Sequence, residues 1–200
     1  FIDGYRKFIG VCSAVRAFRS MRILQIGPRP DGFWSVICNE GAFVIGGGSG
    51  HEPLFGMFVG ENLADAAACG NIFASPDPNT ILQTALSVNK GKGVLFVYGN
   101  YAGDNLNFDM AAEMLEDLGI ESRTVRVWDD VASAPKERIE DRRGIAGDVF
   151  VIKIGGAATA AGLDLDEAYR VTAKARDNVF SIGVALSGGT IPGESKPSFT

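Results

Sequence analysis

The chain has 200 residues, 46% of them hydrophobic, with a formal net charge of −5 and a pI of about 4.9. That supplies the core of one large domain, or of one domain plus the beginning of another, and it excludes a basic footprint for nucleic acid or an anionic membrane. No apolar run reaches the ~18 residues that a membrane span needs, and no signal-peptide pattern is present, so the cytoplasm is the expected compartment. Cys12, Cys38 and Cys69 are odd in number and lack metal-ligand spacing. They argue against a disulfide framework or a zinc site and read as small buried hydrophobes. The chain opens on Phe1 without methionine, which leads us to expect that the true N-terminus precedes it.

In chain order, residues 1–18 have some helical spacing, 22–26 read as a strand and 28–32 as a turn. From Gly41 the punctuation becomes regular. Ala42-Phe43-Val44-Ile45 reads as a buried strand, and Gly46-Gly47-Gly48-Ser49-Gly50 as the loop that ends it. Residues 63–69 read as a short helix and 72–74 as a short strand. Asp77 is a candidate N-cap with Pro78 at the first helical position, and that helix runs to about Asn89 with Ile81, Leu82, Ala85 and Val88 on one face. Val94-Leu95-Phe96-Val97-Tyr98 is a continuous apolar run, the mark of a strand covered on both faces. A helix over 107–118 carries Met110, Ala111, Met114 and Leu118 as its core face, and Gly119 stops it. Residues 122–127 read as a strand and 129–147 as a charged loop. Residues 149–154 read as a strand ending in a Gly155-Gly156 turn, 163–178 as a helix and 179–186 as a last strand.

Strands and helices alternating at this spacing predict an α/β domain: a parallel-rich sheet with right-handed crossovers and helices on both faces. In such sheets ligands lie outside the carboxyl ends of the strands. Three loops are expected there, 46–53, 99–105 and 155–159, and the fold brings His51 near Asp104. His51 is the only histidine. It follows a glycine run that lets backbone approach a small ligand closely, and it is the residue type that titrates near neutrality. No Lys-Ser/Thr follows the glycines, so this is not a Walker loop, and the pattern lacks the acidic residue of a dinucleotide fingerprint. Arg142-Arg143 reads as a solvated pair and Asp129-Asp130 as a turn rather than a metal site. Lys153, inside an apolar run, reads either as a strand-end residue near the site or as a buried ion-pair partner.

A set of motifs in fixed order resembles a known family. It comprises Gly46-Gly47-Gly48-Ser49-Gly50-His51-Glu52-Pro53, Cys69-Gly70-Asn71-Ile72-Phe73-Ala74-Ser75-Pro76, Asn100-Tyr101-Ala102-Gly103-Asp104 with Asn107-Phe108, and Arg142-Arg143-Gly144-Ile145-Ala146-Gly147. It continues through Lys153-Ile154-Gly155-Gly156-Ala157-Ala158 and Gly183-Val184-Ala185-Leu186-Ser187. From about residue 41 onward the chain is similar to the substrate-binding K domain of dihydroxyacetone (glycerone) kinases. The resemblance implies a K-type domain over 1–180 and the start of a second, truncated subdomain over 181–200.

It also implies the ketose-binding component of a kinase of glycerol metabolism, which holds dihydroxyacetone or a tetrulose and presents a hydroxyl for phosphoryl transfer. This chain is expected to bind no cofactor or metal. ATP and magnesium, or a phosphotransferase-system relay, are expected on a separate L domain or subunit, and a homodimer is implied.

By position, His51 and Asp104 match the catalytic pair, and Gly48, Ser49, Gly50, His51, Asp104 and Gly99 match substrate-binding positions. Two departures stand out. The histidine that forms a hemiaminal with substrate in the family is expected beyond residue 200. Gly99 stands where dihydroxyacetone-specific members carry lysine, as in the branch acting on tetruloses. The alternative implied by relatives is a non-catalytic ketose-binding sensor or coactivator.

Overall fold

The structure is a computed structural model that describes residues 41–186, 188–190, 193 and 195–197. The readings for residues 1–32, Cys12 and Cys38 lie outside the described residues.

Among the described residues, four parallel strands form a sheet: β1 (Ala42–Ser49), β2 (Ala66–Ile72), β3 (Val94–Gly99) and β4 (Ser122–Val127), in the order β2-β1-β3-β4. Helices α1 (Pro78–Val88) and α2 (Ala102–Asp117) cover one face, where Ile81, Leu82, Phe108 and Leu115 pack on Val44, Phe96 and Tyr98. Helices α3 (Asp148–Ala160) and α4 (Leu165–Asp177) cover the other, where Val151, Ile152 and Ala168 meet Phe43, Ile45 and Val97. The expected α/β architecture, parallel with helices on both faces, is therefore present. The chain leaves β1 sideways to β2, then crosses back over β1 to β3 and on to β4. With right-handed crossovers, α1 and α2 must share a face and the β1–β2 connection must lie on the other. Phe55 of that connection does join the α3–α4 side. The reversal of direction leaves a crevice between the carboxyl ends of β1 and β3.

Several local readings change. The glycine run is not a loop: β1 continues through Gly46, Gly47 and Gly48 to Ser49. A Cβ at Gly46 would collide with the Ala68 carbonyl oxygen, and one at Gly48 would stand 2.8 Å from the Ala74 amide nitrogen. The missing side chains thus serve close strand and loop approach. Residues 63–69 are not a helix. Their alanines favour helix locally, but Ala66, Ala67 and Ala68 pair in parallel with Val44, Ile45 and Gly46, and pairing overrides propensity.

The 149–154 run is not a strand, and 155–159 is not a loop. Both belong to α3, whose Gly155 lets the Phe43 ring approach (2.9 Å from a Cβ placed there) and whose Gly156 abuts the Leu63 backbone. Lys153 accordingly sits exposed on α3, its Nζ donating to Asn62 O at 3.4 Å, neither at a strand end nor in a buried ion pair. Residues 179–186 form no strand: Val179 packs against the α3–α4 core, and Ser181 bridges Asp130 through backbone hydrogen bonds with Asp129 and Val131.

α2 begins at Ala102, ahead of the expected start, and buries Phe108, Ala111 and Leu115. Met110 (46% exposed) and Leu118 (57%) face away from the core. Cys69 is exposed rather than buried. Arg142 is buried, its Nε donating to Ala134 O at 2.8 Å, so only Arg143 of the pair is solvated. The 129–147 segment includes a 3-10 stretch, Lys136–Asp141. α1 matches its reading: Asp77 caps it by accepting from the Asn79 and Thr80 amides at 3.0 Å, with Pro78 at its start.

Candidate active site

The crevice between β1 and β3 is a cavity of about 520 Å³. The end of β1 brings Gly47, Gly48 and His51 to it. The end of β3 and the start of α2 bring Gly99, Tyr101 and Asp104, and the start of α3 brings Gly144, Ile145 and Asp148. Gly48, His51, Gly99 and Asp104 of the expected site thus border one space. Ser49 and Gly50 do not line it. The Ser49 hydroxyl donates to Gly70 O at 2.7 Å, tying β1 to β2, and the Gly50 amide donates to Glu52 Oε1 at 3.1 Å. That amide, with Glu52's own, holds the Glu52 carboxyl below the usual range.

His51 is exposed and framed by aromatic rings. Phe73 stacks nearly parallel to it, 6.1 Å between centroids, and Phe55 presents its edge at 5.8 Å. Asp104 sits in the first turn of α2 and is buried, and its Oδ1 has no hydrogen-bond partner. Burial pushes its carboxyl above the ordinary range, while the Ser75 hydroxyl and then His51 pull it down. A buried carboxyl with an open acceptor, facing a histidine across a cavity, is arranged to take and pass a proton.

Three further residues at the cavity escape sequence reasoning. Tyr101 donates its hydroxyl to Gly144 O at 2.9 Å, and burial and then Asp148 raise its pKa. Ser75 borders Asp104. Asp148 is buried, lines the cavity and leaves its Oδ1 without a partner. An acid beside a β-branched run reads as a strand edge, and only its place at the first turn of a helix that opens on the crevice signals a role. Asp129 is no open turn residue. It is wholly buried and accepts from the Ile145 amide at 2.8 Å and the Gly147 amide at 2.7 Å, fixing the segment that delivers Asp148. Among the described residues no group of three or more His, Cys, Asp or Glu side chains is placed to hold a metal ion.

Residues 37–200 match the Dak1 domain. The chain belongs to the Dak1 domain family. It is 53% identical over 156 residues to the dihydroxyacetone-binding subunit DhaK of PTS-dependent dihydroxyacetone kinase 2 from Listeria innocua, covering 78% of this chain and 46% of that subunit. It is 51% identical over 158 residues to the L-erythrulose 1-kinase of Mycolicibacterium smegmatis, covering 79% of this chain and 28% of that protein. The crystal structure of the dihydroxyacetone kinase of C. freundii superimposes with a TM-score of 0.75 at 40% identity, over 80% of this chain and 29% of that one. The Dak1 chain described here spans less than half the length of these curated relatives.

Proposed function

We propose that this Dak1 domain binds a short-chain ketose in the β1–β3 cavity and presents a terminal hydroxyl for phosphoryl transfer, as the ketose-binding component of a dihydroxyacetone-type kinase. The observation that carries the reading is that His51 and Asp104, distant in sequence, border one cavity at the point where the sheet reverses direction. Phosphoryl transfer demands positioning and a base beside the attacking oxygen. Asp104 takes the proton of the ketose hydroxyl as its oxygen bonds to the transferred phosphorus and the bond from that phosphorus to its donor breaks, the spent donor leaving with the L partner; His51 hydrogen-bonds the substrate and relays the proton. Gly48 borders the space in which substrate oxygens lie, while Ser49 and Gly50 act from outside it, holding the end of β1 through Gly70 and Glu52.

ATP with magnesium, or a phosphotransferase-system relay, acts from a separate L domain or subunit. A homodimer, a cytoplasmic setting and a place in glycerol metabolism belong to the same reading and rest on the family resemblance. Gly99 supports a tetrulose as substrate, while identity is shared evenly between a dihydroxyacetone-binding subunit (53%) and an L-erythrulose 1-kinase (51%). Among the described residues no helix is long and apolar enough to cross a membrane.

The test combines the full chain with its L partner, ATP and magnesium and follows phosphate appearing on dihydroxyacetone and erythrulose. Turnover of either supports the reading. Tight binding without turnover of any three- to five-carbon ketose transfers the domain to a non-catalytic sensor, and neither binding nor turnover overturns it.

A further inference from the structure

The cavity contains a carboxyl group for which the transfer step has no use. Asp148 opens α3 and is 2% exposed, yet it lines the cavity with its Oδ1 unpartnered. Buried polar atoms are nearly always paired, so an orphan facing a cavity marks the place of a missing partner. The position is built rather than incidental. Asp129 clamps the amides of Ile145 and Gly147, and the Asp148 amide donates to Ile145 O at 3.2 Å.

On the β3 side, a Cβ at Gly99 would stand 3.2 Å from Asp148 Oδ2. Glycine there is what leaves the carboxyl facing open space rather than a side chain. The neighbouring Tyr101 hydroxyl is already spent on Gly144 O. The charged groups that act on Asp148 are acids, Asp129 and Asp104, and with burial they push its carboxyl well above the ordinary range. A carboxyl oxygen accepts a hydrogen bond from a ligand hydroxyl in either protonation state.

We propose that Asp148 is a specificity-determining residue that hydrogen-bonds a hydroxyl which a four-carbon ketose carries and dihydroxyacetone lacks. The assignment rests on the ketose reading above. With dihydroxyacetone bound, the buried carboxyl stays unpaired, and a site that leaves a buried polar group unpaired discriminates against that ligand.

The experiment compares erythrulose with dihydroxyacetone in calorimetric binding to the full chain and in kcat/KM with the L partner. It uses the unsubstituted chain, Asp148→Leu, which keeps the branched shape in a larger volume without a polar atom, and Asp148→Asn, which keeps an acceptor. The unsubstituted chain is expected to bind erythrulose at least about tenfold more tightly. Asp148→Leu should lower the erythrulose-to-dihydroxyacetone ratio about 10- to 100-fold, chiefly through KM, and Asp148→Asn should restore most of it. Equal binding of the two ketoses by the unsubstituted chain overturns the assignment, even if the leucine variant fails to fold. So does an unchanged ratio in Asp148→Leu. If the unsubstituted chain neither binds nor turns over either ketose, the ketose reading falls and this inference falls with it.

Discussion

Asp104 and Asp148 border one cavity, both buried and both with an unpartnered Oδ1, but what stands around them differs. Asp104 has the Ser75 hydroxyl and His51 to offset its burial. Asp148 has no such offset: Asp129 and Asp104 add to the effect of burial. Two carboxyls of the same kind are thereby separated into one whose partners offset its burial, on the His51 side, and one raised further by its neighbours, on the β3 side. Environment assigns the roles, as it does wherever paired acids divide work between them.

The largest expected effect breaks the acceptor side. Asp104→Asn removes the group that takes the hydroxyl proton, and His51→Asn removes its relay. Each is expected to lower kcat by about two to four orders of magnitude with the fold intact, read by steady-state kinetics beside circular dichroism. The double variant should cost little more than either single, because the two act as a unit. On dihydroxyacetone, Asp148→Asn should stay within about tenfold of the unsubstituted chain, since losing at most one hydrogen bond is a smaller matter. If Asp148→Asn falls as far as Asp104→Asn, the two carboxyls share one role and the contrast between them collapses.

Next in size is Gly99→Lys. A Cβ at this position meets Asp148 Oδ2 and Tyr101 Cε2, each at 3.2 Å, so both must give slightly. The ammonium would place a cation beside Asp148, pair with its carboxylate and take the acceptor that a ligand hydroxyl would otherwise meet. The preference for erythrulose over dihydroxyacetone is expected to shrink about ten- to two-hundred-fold in a competition assay. A preference that stays put would show that Asp148 does not read the extra hydroxyl.

Half of this contrast is legible in the sequence. His51 after the glycine run and Asp104 after a continuous apolar strand are both at strand ends, where the sheet architecture directs ligands. β3 shows itself because a strand covered on both faces must be apolar throughout, and α1 because Asp77-Pro78 fits only a helix start. Asp148 stays hidden for the reason that α3 does. Val149-Phe150-Val151-Ile152 is as apolar and β-branched as a strand, and a helix buried against a sheet yields the same run. Gly155 and Gly156 then look like a turn, when their lack of side chains serves Phe43 and Leu63. Once α3 is read as a strand, its first acid loses its place at the crevice. β2 fails similarly, since its alanines speak for helix until β1 is there to pair with them.

The pH dependence of stability sharpens the comparison. Burial lifts both carboxyls above their ordinary values, so the folded chain retains protons that the unfolded chain has released. Stability from such groups is complete below about pH 4, the unfolded value, and is lost as pH rises through the folded ones. Asp148, with two acids near it and no offset, contributes the larger share. From pH 4 towards neutrality the Tm of Asp148→Asn should rise relative to the unsubstituted chain, with Asp104→Asn in between, while Glu52, Asp77 and Glu167, held below their usual range, act the other way alike in all three. Asp65, also pushed up by burial, keeps a residual slope in every variant. Parallel curves for the chain and Asp148→Asn would mean that Asp148 is ionised when folded.

The smallest effect concerns Ser75, and it isolates what keeps Asp104 different. The Ser75 hydroxyl has one proton and two acceptors in reach: Pro76 O, at 3.3 Å, and the Asp104 carboxylate. The ionised acceptor makes the stronger bond, and that bond favours the charged carboxylate. Ser75→Ala removes it, so the Asp104 pKa rises and the base becomes available only at higher pH. The acid limb of kcat/KM against pH should therefore move upward, with the plateau changed by no more than a few-fold. Asp148→Asn leaves Ser75 and His51 in place and should leave that limb essentially where it is. An acid limb that moves with Asp148→Asn and not with Ser75→Ala would reverse the two roles and assign the proton-accepting carboxylate to α3.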